Sequence, residues 1–369
     1  MAHFKRDPGP IISGAVLVDK PQGPTSFNVI RSLRKTFGQR EIGHLGTLDP
    51  MATGLLAVLL GKATKLADYL VGDRKSYRAV FLLGLKTSTF DATGAVEDGA
   101  EWEGALGLFQ SEGLAASLPP ALLASFPDEE KARAALDSFM GEREQRPPNF
   151  SAIKVGGVRS YDRARRGEDF LLPKRRATLF ESELEIYRPP FLALRVTVSS
   201  GYYIRSLAQE LGEALGLAGG VALSLRRLSV GDFKVEDALS PTATKEEFLA
   251  RLIAPRALLP RIPEITLPAE DLARITKGLA VAADALVLPG PGQFPRPERI
   301  ALGEPGRALP QGVVKIVDDA GVLVALAEVG YRQSGGPDAR LTSPGGKDAL
   351  SPARPFLRPK RVFAENALG

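Results

Sequence analysis

The chain has 369 residues, enough for two domains with their own cores, and 48 Lys and Arg against 43 Asp and Glu leave a net charge of +5. It has no cysteine, which excludes disulfides, thiol nucleophiles and thiolate-bound metal; with only His3 and His44, a His-rich metal site is excluded and a Ser-His-Asp triad would have to use His44. An enzyme of this composition would rely on carboxylates, Tyr, Lys or Arg, with an all-carboxylate magnesium site formally open. No apolar stretch approaches the ~18 residues of a spanning helix, and the first ten residues lack an export h-region, so a cytoplasmic chain without a membrane partner is expected.

Residues 16–18 read as a strand end, broken by Lys20-Pro21-Gln22-Gly23-Pro24. Thr25-Ser26 then caps a helix with Ile30, Leu33 and Phe37 on one face and Arg31, Arg34 and Lys35 on the polar side. The apolar run 55–60, bounded by Gly54 and Gly61, predicts a buried strand, 62–70 a helix, and 77–83 an alternating strand. Strand period returns at 192–198. After Ser199-Ser200-Gly201, the spacing of Ile204, Leu207, Ala208, Leu211 and Leu215 is helical. Tyr203 and Arg205 therefore stand at a strand-to-helix junction, where side chains can converge on a pocket.

Pro255, Pro260 and Pro263 mark 254–263 as a linker. Beyond it, 270–277 predicts a helix ending at Gly278, and 313–317 and 322–327 flank Asp318-Asp319-Ala320-Gly321 as a hairpin. Stretches 289–312 and 332–355 are Pro- and Gly-rich surface loops, and Arg354, Arg358, Lys360 and Arg361 make the end basic. The expected class is α+β: a catalytic domain over 1–253 with a mixed, largely antiparallel sheet, then a small β-rich domain over 264–369.

Between Arg143 and Arg176 stand ten Lys and Arg against four Asp and Glu, a net +6 that exceeds the charge of the whole chain. Phe150 and Tyr161 are interleaved. Such a segment suits a phosphate backbone, and equally an ordinary solvated face. With the Pro147-Pro148 break, a mobile or extended arm that closes over a nucleic-acid backbone is expected here.

The most informative stretch is Gly43-His44-Leu45-Gly46-Thr47-Leu48-Asp49-Pro50-Met51-Ala52-Thr53-Gly54. Its glycines permit unusual backbone angles or close approach. Asp before Pro is also a common way to start a helix, and on that reading Asp49 would be a cap.

This stretch closely resembles the catalytic motif of the TruB-type tRNA pseudouridine synthases. Five further motifs resemble that family in its order: Asp19-Lys20-Pro21-Gln22-Gly23-Pro24-Thr25-Ser26, Lys75-Ser76-Tyr77-Arg78, Arg146-Pro147-Pro148-Asn149-Phe150-Ser151-Ala152-Ile153-Lys154, Gly201-Tyr202-Tyr203-Ile204-Arg205-Ser206-Leu207 and Leu225-Arg226-Arg227-Leu228. The chain departs at Tyr202, where the family usually has Thr, and at Gly219-Gly220, where it often has Ala-His; the stretch 97–128 has no matched motif.

The resemblance implies isomerisation of a T-loop uridine of tRNA, at position 55, to pseudouridine. It implies Asp49 as the aspartate that attacks the sugar or removes a sugar proton, Tyr77 as the tyrosine on the base, and Arg205 as the aspartate's partner. His44 would fill the space left by the extruded base, Tyr203 and Leu225 would line the uracil pocket, and Lys20 and Lys154 would contact substrate. The chemistry suits these residue types. An arginine keeps a buried carboxylate charged and oriented, and a flipped base needs aromatic and apolar cover. The C-terminal domain resembles a PUA-type module, which implies acceptor-stem contacts. No metal or cofactor, no protein partner and a monomer are expected. The alternatives are a non-catalytic tRNA-folding chaperone and a synthase acting on another RNA.

Overall fold

The computed structural model describes residues 11–70, 74–99, 126–151, 153–168, 170–282, 312–332 and 354–363. Most of the 97–128 stretch and of the loops 289–312 and 332–355 lies outside them.

β1 (Gly14–Lys20) leads to α1 (Ser26–Phe37), whose capping box joins Thr25 and Asn28 and whose buried face is Val29, Ile30, Leu33 and Phe37. β2 (Ile42–Leu45) and β3 (Thr53–Leu60) follow, the second nearly all buried. The expected helix at 62–70 is a tight 3-10 turn over Gly61–Leu66 that relaxes into the single α-turn α2 (Ala67–Leu70). Thr64 donates to the Gly61 carbonyl at 2.7 Å, and Ala63 and Leu66 are drawn into the core, which favours the tighter winding.

β4 (Lys75–Leu83), the short pair β5 (Lys86–Thr87) and β6 (Val96–Asp98), α3 (Glu129–Asp137) and β7 (Gly141–Gln145) come next. A small lobe holds β8 (Lys154–Val155), β9 (Val158–Arg159) and α4 (Ser160–Arg165). The chain then runs through β10 (Arg175–Arg188), β11 (Phe191–Val198), α5 (Ile204–Ala214), β12 (Gly220–Val230), β13 (Phe233–Lys234) and α6 (Lys245–Ala250).

These strands form a nine-stranded sheet in the order β1-β3-β12-β4-β11-β10-β7, with β2 on β3 and β13 on β12. Only β12 on β3 is parallel, so the sheet is mixed and largely antiparallel. A strand late in the sequence, β12, is thus inserted between β3 and β4. This brings Arg226 and Arg227 beside Thr53 and Gly54.

The C-terminal part is a five-stranded sheet, β14-β16-β17-β18-β15, built from β14 (Glu264–Thr266), β15 (Val281–Ala282), β16 (Val313–Val317), β17 (Leu323–Arg332) and β18 (Arg354–Val362), with α7 (Ala269–Thr276) against it. The proline-spaced stretch 254–263 is packed rather than free-running. It forms a 3-10 turn over Pro255–Leu258, and Leu258, Leu259 and Ile262 are buried. They join one apolar cluster that includes Leu17, Leu45 and Leu55 of the first sheet and Val313, Leu326 and Phe363 of the second. Lys65 also donates to the Val362 carbonyl at 3.1 Å, and Arg361 pairs with Asp68 at 3.3 Å.

Candidate active site

The Gly-rich stretch 43–54 spans the end of β2, the turn 46–52 and the start of β3. Gly46 takes a φ of 75°, which only glycine adopts without strain and which turns the chain off the sheet. Residues 49–52 then close a turn, with the Ala52 N–H donating to the Asp49 carbonyl at 3.1 Å. No helix follows Pro50, so Asp49 has no capping role. Ser26, opening α1, braces the turn: its hydroxyl accepts from Leu48 N–H at 2.9 Å and donates to the Leu48 carbonyl at 3.0 Å.

Lys20 lies beneath the turn. It is wholly buried and donates to the carbonyls of Pro21, Pro24 and Pro50 at 2.9, 2.8 and 3.3 Å. Its ammonium thereby ties the first motif to the Asp49 turn. Burial pushes it down to about 8, against the Asp49 carboxylate and with help from Arg227.

Arg205 enters from the first turn of α5, with its guanidinium 3% exposed. Its Nε lies 2.9 Å from Asp49 Oδ2, an ion pair by distance whose N–H is not aligned as a hydrogen bond. Nη1 donates to the Thr89 carbonyl at 2.8 Å and stands 3.4 Å from Asp91 Oδ2, while Nη2 donates to the Phe150 carbonyl at 2.9 Å. A guanidinium this buried needs counter-charge, and two carboxylates supply it. Of the two, Asp91 is 6% exposed and Asp49 is 36% exposed, so Asp49 is the member of the trio that faces outward.

Asp91 is itself held. Its Oδ1 accepts from Thr89 Oγ1, Thr93 Oγ1 and Thr93 N–H at 2.7, 2.6 and 3.0 Å. The loop is pinned to β12, because Ala222 N–H donates to the Phe90 carbonyl at 3.0 Å and Ala92 N–H to the Ala222 carbonyl at 3.2 Å. Phe90 sits at a φ of 57°, a strained angle for a residue with a side chain, which these two bonds enforce.

Tyr77 and Leu225 are buried in one apolar cluster with Leu48, Met51 and Ala52 of the turn and with Tyr202 and Ile204. Tyr203 precedes Arg205, and burial pushes its phenol up against the effect of the neighbouring Ser151 hydroxyl, with Asp49 and Arg205 acting in opposite directions. His44, on β2, has Nε2 3.5 Å from Thr47 Oγ1; burial, then Arg227, push its imidazole below the ordinary value, so it is neutral at pH 7. Lys154 starts β8, and its side chain lies outside what is described.

The basic segment is a folded lobe rather than the extended arm expected from its prolines. Arg146 Nη1 donates to the Leu172 carbonyl at 2.6 Å and Asn149 Nδ2 to the Phe170 carbonyl at 2.9 Å, and the Ser160 hydroxyl donates to the Asn149 carbonyl. Arg163 pairs with Glu168 at 2.6 Å and stacks 4.3 Å over Phe170; Arg165 stacks 4.6 Å over Tyr161, which meets Phe150 edge-on at 5.9 Å. These local interactions fold the segment back on Glu168, Phe170 and Leu172.

Three residues of this site have no role in the motif reading: Asp91, Arg227 and Gln145. Arg227, 1% exposed, donates to the Leu55 carbonyl at 2.7 Å and to the Gly46 carbonyl at 3.1 Å, so it supports the turn from below. It stands within the last motif, whose resemblance gives it no task. Asp91 has a signal in the sequence, the Asp-Ala-Thr-Gly turn chemistry at 91–94. Among the described residues no three His, Cys, Asp or Glu side chains gather as metal ligands.

The fold is shared with chains of solved complexes. A chain of an H/ACA RNP bound to a substrate RNA containing 2'-deoxyuridine matches with a TM-score of 0.57 at 20% identity, over 96% of this chain and 86% of that one. A chain of a Cbf5-Nop10-Gar1 complex matches at 0.54 and 25% identity, over 85% and 78%. In sequence, residues 34–107 and 121–204 match the TruB family pseudouridylate synthase N-terminal domain. The tRNA pseudouridine synthase B of Arthrobacter sp. is 40% identical over 321 residues, 84% of this chain and 94% of that protein. That of Oenococcus oeni is 38% identical over 279 residues, 72% and 85%. The chain belongs to the TruB family of pseudouridylate synthases.

Proposed function

We propose that this chain isomerises uridine 55 in the T-loop of tRNA to pseudouridine, the activity its tRNA pseudouridine synthase B relatives are named for, with Asp49 as the catalytic carboxylate. The N1–C1′ bond breaks, the uracil turns, C5 bonds to C1′ and the C5 proton moves to N1. The composition of the base is unchanged, the C5 hydrogen leaving as a proton and N1 taking one up, so neither oxidant nor reductant enters. The observation that carries the assignment is the Asp49–Arg205 pair: the arginine is buried and the carboxylate is outermost. Asp49 can attack C1′ or remove a sugar proton from there; Arg205 keeps it charged and aimed.

Tyr77 and Leu225 back the turn that carries Asp49 and offer apolar cover for an extruded uracil, with half-buried Tyr203 at the N-cap of α5. The neutral imidazole of His44 suits the stack vacated by the base, since it carries no charge to desolvate. The basic lobe would grip the T-arm, and the C-terminal sheet with Arg358 and Lys360 would meet the acceptor stem. We place the activity in the cytoplasm, where tRNA matures, in a monomer that needs no cofactor or protein partner. Incubation with unmodified tRNA transcript followed by pseudouridine mapping tests the reading. Pseudouridine at position 55 is the expected product, absent with Asp49→Asn; modification elsewhere only, or none, overturns it.

A further inference from the structure

Gln145 ends the edge strand β7 at the point where the basic lobe begins, and it is 2% exposed. A buried amide must spend its donors and its acceptor on something. Gln145 spends one of its two donors and its acceptor on one residue. Its Oε1 accepts from the Tyr203 N–H at 2.7 Å, and its Nε2 donates to the Tyr203 carbonyl at 3.1 Å. This pairing also fixes which end of the amide is which, because an N–H needs the oxygen and a carbonyl needs the nitrogen.

Tyr203 is the N-cap residue of α5, and no side chain caps that helix from within. The main-chain groups of Tyr203 therefore meet a side chain 58 positions away. Two residues on, Arg205 reaches Asp49. The same seam carries two more bonds between lobe root and helix: Ser206 Oγ to the Arg146 carbonyl at 2.8 Å, and Arg205 Nη2 to the Phe150 carbonyl at 2.9 Å.

We infer that Gln145 is a positioning residue for the reaction: by clamping the Tyr203 backbone from both sides it sets where the Tyr203 ring and the Arg205 guanidinium stand relative to Asp49. The inference rests on the proposed function of this site. A small rotation of the Tyr203 peptide would shift both side chains at once, because they leave the chain on either side of Ile204. Binding of the RNA depends on the wider basic surface, which Gln145 does not contribute to, being buried. Its loss should therefore appear in the turnover step rather than in capture of the RNA.

The test is Gln145→Met, which keeps length and volume but neither donates nor accepts, and Gln145→Asn, which keeps the amide but is one methylene too short to hold the Tyr203 N–H and carbonyl together. Steady-state turnover on full-length tRNA transcript, tRNA affinity and thermal melting are measured for each, with Asp49→Asn alongside. For Gln145→Met we expect kcat to fall about ten- to a hundredfold, the cost of a displacement of about 1 Å at a catalytic group, with KM within about threefold of wild type. Gln145→Asn, which can still make one of the two bonds, should lose less, and it serves as the decisive variant if Gln145→Met does not fold. Wild-type kcat in either folded variant, or a raised KM with unchanged kcat, overturns the positioning role. Loss of turnover in Asp49→Asn with wild-type kcat in Gln145→Met discards this inference alone. Retained turnover in Asp49→Asn discards the site reading, and this inference with it.

Discussion

Gly54 passes so close to Arg227, its parallel neighbour across β3 and β12, that a Cβ on Gly54 would overlap the Arg227 carbonyl oxygen and lie 2.7 Å from its backbone nitrogen. Gly54 also holds a φ of 100°. This crossing is what lets Arg227 reach under the Asp49 turn to the Gly46 carbonyl. Replacement of Gly54 by Ala should therefore cost both a strained angle and a displaced strand, together about 3 kcal/mol or more. Urea denaturation checks this; a variant with wild-type stability would show that the strands part easily here.

A second stability prediction concerns the departure at Tyr202. Its side chain is buried, and among the described residues its hydroxyl meets no hydrogen-bond partner. Burial, with Glu210 nearby, pushes the phenol well above its ordinary value, so it stays protonated. Tyr202→Phe removes a desolvated polar group and keeps the ring, and it should leave stability equal or raise it by about 1 kcal/mol. A clear loss on thermal melting would reveal a partner for the hydroxyl.

Much of this is legible in the sequence, and the boundary follows from chain distance. An apolar run bounded by glycines places β3, and period-2 and period-3.6 patterns place β4, β11, α1 and α5, because each is set by residues a few positions apart. Asp49 and Arg205 are legible as a pair only through their motifs. The insertion of β12 between β3 and β4 is not legible, since alternation marks a strand and says nothing of its neighbours. The supports of the site share that opacity: Arg227 meets Gly46 across 181 positions, Arg205 meets Asp91 across 114, and Gln145 meets Tyr203 across 58. The lobe reads as extended because Pro147 and Pro148 do signal a break, while the bonds from Arg146 and Asn149 that fold it back reach more than twenty residues ahead.

Asp49→Asn separates chemistry from architecture. The amide keeps the shape of the side chain, and Arg205 retains Asp91 and the carbonyls of Thr89 and Phe150. Asp49 is partly exposed and Asp91 still faces the guanidinium, so the protein should stay folded, with a stability loss below the about 3–5 kcal/mol of a buried pair broken outright. Turnover should drop by at least about a thousandfold, since an amide can neither attack nor take a proton. Tritium release from C5-labelled tRNA measures it, and substantial residual turnover would remove Asp49 from the chemistry.

Lys20 gives a pH signature. Folded, it holds its proton to about 8, against 10.5 for an ordinary lysine. Between those values the unfolded chain binds the additional proton, so stability rises with pH on account of this group. Below about 8 both states are protonated and the cost of burying the ammonium is fully present. Compared with Lys20→Met, wild type should thus gain relative stability as pH is raised from about 7 to about 10. Urea midpoints of both proteins across that interval test this; a constant difference would mean that Lys20 titrates alike in both states.

The folded lobe divides its arginines into two kinds. Arg163 is a quarter exposed, paired with Glu168 and stacked on Phe170, so it holds the lobe together. Arg166 is 59% exposed, with Glu168 at 2.8 Å as its partner on the rim, and Arg165 lies on the open face of Tyr161. Surface ion pairs of the Arg166 kind are weak, at about 0–1 kcal/mol, so RNA phosphate can replace Glu168 there. Removing one arginine–phosphate pair should make the dependence of log affinity on log salt shallower by about 0.7–0.9. Arg165→Ala and Arg166→Ala should each flatten the slope by about that amount and leave melting unchanged. Arg163→Ala should weaken tRNA binding at every salt concentration with the slope nearly kept, because it loosens the surface without taking a phosphate partner away. Binding isotherms at four or more salt concentrations distinguish the two patterns. Equal slopes for wild type, Arg165→Ala and Arg166→Ala would mean that this face of the lobe does not meet phosphate.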